Sequence, residues 1–220
     1  MDQANLDIVW NARDYLWQGF QYSISLTGVS MVFGIVFGTL LAMAKLSSKR
    51  WLSMPAAIYV NLFRSVPLLF VILFCYILVP MVSGVQMGAD KSAYITFAIF
   101  EAAYYCEIIR AGIQSISRGQ VAAGQAMGFS YAQNMRYIIL PQAFRNVVPL
   151  LLTQTIILFQ DTSLVYVVGA TDLLGAATKI VATNNVPVEM YLSVAFVYFV
   201  VSFGLSQCVK KLHGKIAVIR

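Results

Sequence analysis

The sequence predicts an all-α, polytopic membrane protein with about five transmembrane helices and a helix-turn-helix loop between the third and fourth. Three observations predict it. Apolar residues make up 60% of the chain and charged residues 11%, and the mean hydropathy is +0.75, too apolar for a surface that must face water. Residues 19–44, 65–89 and 190–209 carry no charge, and each run reaches the roughly 20 residues a helix needs to cross hydrocarbon. Residues 114–145 carry Arg118, Arg136 and Arg145 and no acidic residue, so this segment lies outside the bilayer.

Two further spans, 92–113 and 146–168, are apolar but contain Glu101, Glu107, Arg110 and Asp161. An ionised side chain at a helix centre costs about 2.5–3.5 kcal/mol on insertion scales, so these positions face protein or water rather than lipid. There is no internal repeat or low-complexity linker, and residues 1–220 read as a single transmembrane domain. The start carries Asp2, Asp7 and Asp14 against Arg13, the wrong sign for the basic region of a cleaved signal, so the first span is expected to be retained.

Basic residues set the orientation. Lys45, Lys49, Arg50 and Arg64 separate spans one and two; Arg110 lies at the cytoplasmic end of span three and Arg118, Arg136 and Arg145 follow it; Lys210, Lys211, Lys215 and Arg220 follow span five. Only Arg13, Lys91 and Lys179 fall on the other side, with most of the acids. The N-terminus is therefore expected outside and the C-terminus in the cytoplasm. The net charge of +6 acts as a topogenic signal with some attraction to anionic lipid and gives no reason to invoke nucleic acid. Cys75, Cys106 and Cys208 lack metal-ligand spacing and read as buried packing residues. The single histidine, His213, sits among lysines, so neither a Ser-His pair nor a multi-His metal site is available, and no phosphate-binding Gly-Lys-Ser/Thr loop occurs.

Within 114–145, Ala122, Ala123, Ala126 and Met127 suit a short helix, Gly128 breaks it, and a second helix over 131–140 is expected to end near Pro141. Small residues on the first helix allow close approach by another surface, and Gly128 permits a tight turn. By spacing alone this is equally an ordinary interfacial loop.

The segment resembles the cytoplasmic coupling loop of ATP-binding-cassette importer permeases, whose pattern is Glu-Ala-Ala, three residues, Gly, nine residues, then Ile-x-Leu-Pro. Ala122-Ala123-Gly124, Gly128 and Ile138-Ile139-Leu140-Pro141 stand at those positions. The pattern's Glu is replaced by Ala122 and its second Ala by Gly124, so docking of an ATPase through that Glu is not available, and shape and apolar contact must serve. The resemblance runs from Leu16 to about Val209. FRSVPLL from Phe63, LPQAFR from Leu140 and DTSL from Asp161 are similar to the polar amino acid branch. FEAAYYCEIIRAGIQSISRGQ from Phe100 and LFQDTSLVYV from Leu158 look most like permeases of glutamate/aspartate importers. Many relatives have Lys where this chain has Gln160.

The resemblance implies a permease subunit in a bacterial inner membrane, working with two cytoplasmic ATP-binding subunits, a second identical or homologous permease subunit and an external amino-acid-binding protein. It implies no cofactor and no catalysis by this chain. Glutamine, histidine or arginine is the alternative cargo. A membrane enzyme lacks a plausible base, and a non-transporting scaffold leaves the intramembrane charges without a purpose. For those charges two readings stay open. Glu107 and Arg110, three apart on one helix face, form an ion pair or a gate. Glu101 either lines a path or pairs structurally, with Arg64 as its expected partner. Arg64 and Pro67 either snorkel and open a helix or present a cation and free N–H groups to a substrate carboxylate. Asp161, with the hydroxyls of Thr162 and Ser163, either attracts an ammonium group or is paired within the protein.

Overall fold

The structure is a computed structural model that describes residues 3–216. Asp2 and Arg220, counted above for orientation, lie outside the described residues. A short helix α1 (Gln3–Asn11) leads into the 33-residue α2 (Arg13–Lys45). The buried residues of α2 are mostly small: Gly19, Ser23, Thr27, Ser30, Gly34, Gly38 and Ala42, with Leu26. Val32, Phe33, Val36, Phe37 and Leu40 are each more than half exposed. Small residues inside and large apolar ones outside is the pattern of a helix whose outer solvent is lipid, where close backbone approach replaces hydrophobic burial as the packing force.

After α2 the chain forms α3 (Arg50–Ser65), then α4 (Leu68–Leu73), a π-helical segment Phe74–Leu78 and α5 (Val79–Ser83). The expected second span, 65–89, is thus not one straight helix. The stretch Arg50–Ser65 is already helical, and the axis turns by 106° before the stretch Leu68–Ser83. The cause is Pro67, which pushes Val66 into an extended conformation (φ −114°, ψ 135°). Helix α6 (Ala89–Gln114) follows and packs against α2, α3, α4 and α9. Gly34 of α2 faces Glu101 and Tyr105, and Gly38 faces Ala102 and Cys106, so α2 and α6 run parallel. A Cβ on Gly38 would lie 2.9 Å from both the Ala102 carbonyl oxygen and the Cys106 nitrogen.

The loop comprises α7 (Arg118–Ala126), α8 (Tyr131–Asn134) and a π-helical segment Met135–Ile139, which runs directly into α9 (Leu140–Asp161). The expectation that the second loop helix ends near Pro141 is overturned: helical structure is continuous from Tyr131 to Val168. The Leu140 N–H reaches back five residues to the Met135 carbonyl, and this wider turn accommodates a ring that would clash in an α-helix. The same arrangement recurs at Pro80, where the Val79 N–H reaches the Phe74 carbonyl.

A 3₁₀ segment Thr162–Val168 ends at Gly169, and α10 (Leu173–Asn184) and α11 (Pro187–Ile216) complete the chain. Three helical stretches are long and apolar enough to cross a membrane, Arg13–Lys45, Tyr131–Val168 and Pro187–Lys215, and the bent pair adds a fourth only if its two arms are counted as one span. Helix α6, the expected third span, is not among them; Glu101 and Glu107 lower the hydropathy of its middle. Cys106 is buried and Cys75 half-buried, but Cys208 is exposed on α11, contrary to its expected burial.

Asp172 ties the start of α10 to α11 beside α2. Its carboxylate is fully buried and accepts from the Leu174 and Gly175 N–H groups, each at 2.9 Å, and from the Tyr198 hydroxyl at 3.4 Å. Burial raises its pKa to about 6, against the lowering by those hydrogen bonds. The folded carboxyl therefore holds a proton that the unfolded chain has already shed, and stability from this group falls as pH rises from about 4 through about 6. The detergent-solubilised protein is expected to melt at a lower temperature at pH 7.5 than at pH 5 through this group. Asp172→Asn, which keeps a capping oxygen, flattens that difference, and Asp172→Ala lowers stability at both pH values by about 1 kcal/mol.

Candidate substrate path and docking loop

Glu107 on α6 is the meeting point of three cations. Lys45 Nζ donates to Oε1 at 2.6 Å, Arg110 Nη2 donates to Oε2 at 2.7 Å, and Arg64 Nη1 lies 3.7 Å from Oε2. The expected Glu107–Arg110 pair is present, and Lys45 joins it. Arg110 also donates to the Gln114 side chain. The expected partnership of Arg64 with Glu101 does not form: Arg64 bends toward Glu107 and stands over the Tyr104 ring, 5.6 Å from its centroid. One carboxylate facing three cations leaves a local excess of positive charge. Arg64, with a 43% exposed side chain, is the most loosely held of the three.

One helical stretch nearer the start of α6, Glu101 is fully buried, and Gln154 on α9 donates to both its oxygens at 3.2 and 3.3 Å. Glu101, Gln154 and Asp161 line a cavity of about 360 Å³ with Pro67, Leu68 and Tyr104. Neither Glu101 nor Asp161 has an ion-pair partner among the described residues. Pro67 stands at the cap position of α4, so the break in the second span delivers the start of a helix to the cavity wall. Thr162 is turned away: it is buried and its hydroxyl donates to the Phe159 carbonyl at 2.7 Å. Ser163 is half-buried and does not line the cavity. Of the sequence-derived path residues, the structure therefore assembles Pro67, Glu101 and Asp161 in one place and Arg64, Glu107 and Arg110 in another, with Tyr104 between them. Gln154 was missed, although its seven-residue spacing from Asp161, two helical turns, puts both on one face.

In the loop, Gly128 takes φ +81°, a conformation that strains any residue with a side chain. Ser130 and Gln133 form a capping box that starts α8. Ala122, Ala123, Leu140 and Pro141 are exposed and Ile138 is half-buried. Gly124 is buried, and it does not present itself to a partner. A Cβ there would lie 2.5 Å from Asn134 Oδ1 and 2.7 Å from Ile138 Cδ1, while Asn134 donates to the Val121 carbonyl at 2.8 Å. The small residue thus closes the loop's two halves on each other. The outward surface includes apolar Met127, 73% exposed, and Tyr131, 80% exposed, beside exposed Arg118, Gln125 and Arg136.

The family model "Binding-protein-dependent transport system inner membrane component" matches residues 34–217. The chain belongs to this family. Among its curated relatives, a glutamate/aspartate import permease protein, GltK of Escherichia coli O6:H1, is 49% identical over 92% of this chain and 94% of its own. A probable glutamine ABC transporter permease protein, GlnP of Bacillus subtilis, is 32% identical over 90% of this chain and 92% of its own. A solved structure of an amino acid ABC transporter with histidines superposes with a TM-score of 0.92 at 30% identity, covering 98% of this chain and 100% of that one. Structures of the MetNI methionine ABC transporter share the fold, with a TM-score of 0.71 at 20% identity. As a member of this family of inner membrane components, the chain is a multi-pass inner-membrane protein that serves transport.

Two outcomes follow from the geometry. Glu107→Gln leaves Lys45, Arg64 and Arg110 without a counter-charge and is expected to cost roughly 3 kcal/mol, read as a lower melting temperature in detergent. Gly124→Val is expected to part α7 from α8, read as accelerated proteolysis confined to residues 115–135.

Proposed function

We propose that the chain is the permease subunit of an ABC importer that carries glutamate or aspartate into the cytoplasm. The observation that carries the reading is the 49% identity, over nearly the whole of both chains, to a glutamate/aspartate import permease. In this reading α6 is the remaining transmembrane span, its charges tolerated because it is enclosed by the other helices. The N-terminus is outside and the C-terminus cytoplasmic. An external binding protein delivers the amino acid, a second permease subunit completes the path, and two ATP-binding subunits dock beneath.

The cavity supports a chemical role for each side chain. Glu101 and Asp161 attract the substrate ammonium, the start of α4 offers backbone N–H groups to a carboxylate, and Arg64, outside the cavity beyond Tyr104, offers a cation further along the path. An acidic amino acid carries a second carboxylate, and the surplus positive charge around Glu107 is the next attractive point toward the cytoplasm. Asp161 is the group on which the ammonium assignment rests most openly, since it is not fully buried and has no ion-pair partner among the described residues. In the loop, Ala122, Ala123, Gly128, Leu140 and Pro141 meet the ATPase through shape and apolar contact, because Ala122 replaces the acidic residue of the usual pattern. Ile138 and Gly124 hold the loop's shape from within.

The complete complex in proteoliposomes is expected to take up glutamate and aspartate in preference to glutamine, histidine and arginine; a preference for a cationic amino acid overturns the acidic cargo. Gly128→Leu is expected to leave the protein inserted and the ATPase active while uptake falls at least tenfold. Unchanged uptake removes Gly128 from the docking surface.

A further inference from the structure

Helix α3 has two faces that do different things. Ala56 and Val60 are buried, and Val60 packs in a cluster with Ala42 of α2 and Ala103 and Cys106 of α6. The opposite face is apolar and open for more than three turns: Trp51 is 70% exposed, Met54 64%, Ile58 59% and Leu62 59%. An amphipathic helix whose outer stripe is apolar does not belong in water, and its direction does not suit a span. It meets Leu68–Ser83 at 106°. The latter packs beside α6, with α4 near Glu101 and α5 leading back to the start of α6. With α4 and α5 aligned with α6 across the bilayer, α3 lies close to the membrane plane.

The charges of this region are of one sign. No acidic residue occurs between Lys45 and Asp90. Lys45 is occupied by Glu107, but Lys49 and Arg50, both exposed at the start of α3, join no ion pair among the described residues. Arg50, Trp51 and Met54 also share the wall of an apolar groove of about 620 Å³ on the outer face. A Trp beside unpaired cations at one end of an apolar stripe is what a membrane–water interface selects.

We propose that α3 is an interfacial helix whose outer face binds anionic phospholipid of the cytoplasmic leaflet, with Lys49 and Arg50 on the headgroup phosphate and Trp51, Met54, Ile58 and Leu62 against the acyl chains. The proposal rests on the orientation given under Proposed function for the leaflet, though not for the chemistry of the ligand. Charge decides the occupant: a second copy of this chain would have to bring an acidic surface to Lys49 and Arg50, whereas anionic lipid satisfies both cations and the apolar stripe at once. The consequence reaches the transport path. The far end of α3 carries Arg64, bound to Glu107, and continues through Val66 and Pro67 into the cavity wall. Lipid at one end thus steadies the element that positions Arg64 at the other.

The test uses the complete complex in nanodiscs with Trp10 and Trp17 replaced by Phe, so that Trp51 is this chain's sole tryptophan, and the same complex with Trp51→Phe supplies the fluorescence of the other subunits for subtraction. Brominated phosphatidylglycerol is expected to quench Trp51 at a lower mole fraction than brominated phosphatidylcholine. Lys49→Gln with Arg50→Gln is expected to weaken the phosphatidylglycerol preference on the order of tenfold or more, since each basic residue near an anionic surface contributes a factor of about five. Lys211→Gln, basic and exposed elsewhere, leaves the preference intact. Equal quenching by the two lipids overturns the selectivity for anionic headgroups. Absence of quenching by either shows that protein covers the face and overturns the proposal outright. Because the readout is lipid contact rather than uptake, it stands apart from any failure of the acidic-cargo assignment.

Discussion

The rest of the structure depends on the close parallel approach of α2 and α6. At Gly38 the α2 backbone lies so near α6 that a single added methyl would meet the Ala102 carbonyl oxygen and the Cys106 nitrogen, both at 2.9 Å. Ser30, Gly34, Gly38 and Ala42 recur every fourth residue, which keeps one small face turned to α6 along its length. Lipid tails solvate Leu as well as another Leu does, so burial of large apolar side chains gives little reason for two helices to meet in a bilayer. Van der Waals contact between small faces does. With α6 gripped in this way, its two glutamates acquire fixed positions, Glu101 toward α9 and the cavity and Glu107 toward Lys45 at the end of α2.

That grip also explains how a helix carrying Glu101, Glu107 and Arg110 is tolerated. Each charge meets a protein group before it meets lipid: Gln154 for Glu101, and Lys45, Arg64 and Arg110 for Glu107. Around the fixed pair the chain uses breaks where a straight helix would fail. Pro67 turns the second span and brings Arg64 to one charge centre and the start of α4 to the other. The π-helical turns before Pro80 and Pro141 let helices continue through residues that ordinarily end them, and the second of these joins the loop to α9 without an interruption. Loop and cavity are therefore connected by one continuous helical stretch, from Tyr131 to Asp161.

Much of this was legible in the residues. Charge-free runs located α2 and α11, and the charges inside apolar stretches marked Glu101, Glu107, Arg110 and Asp161 as enclosed, because the cost of ionised groups in hydrocarbon is a property of the side chain alone. The turn at Gly128 was legible too, since only backbone freedom explains a lone glycine between two helical segments. What was hidden is tertiary. A run without charges does not show a 106° bend, and the effect of Pro141 depends on a widened turn formed five residues earlier. Arg64 had two acidic residues within reach on α6, and only the position of α3 decides for Glu107. Gly124 looked like an outward surface because Asn134 and Ile138, which fill the space beside it, lie on the other half of the loop. Thr162 belonged to a polar triplet by sequence, but a tightened 3₁₀ turn rotates it into the core.

The account stands or falls on the α2–α6 contact. Its most direct measurement is the rate of disulfide formation between native Cys106 and a cysteine placed at Ala42, two members of one buried cluster, in a chain with Cys75 and Cys208 replaced by Ser, with Gly38 kept or changed to Leu. With Gly38 the pair is expected to cross-link readily in membranes; Gly38→Leu is expected to slow the reaction at least tenfold and to abolish uptake when tested with native Ala42. Cross-linking and uptake that both survive Gly38→Leu would contradict the claim that this contact positions the charged helix.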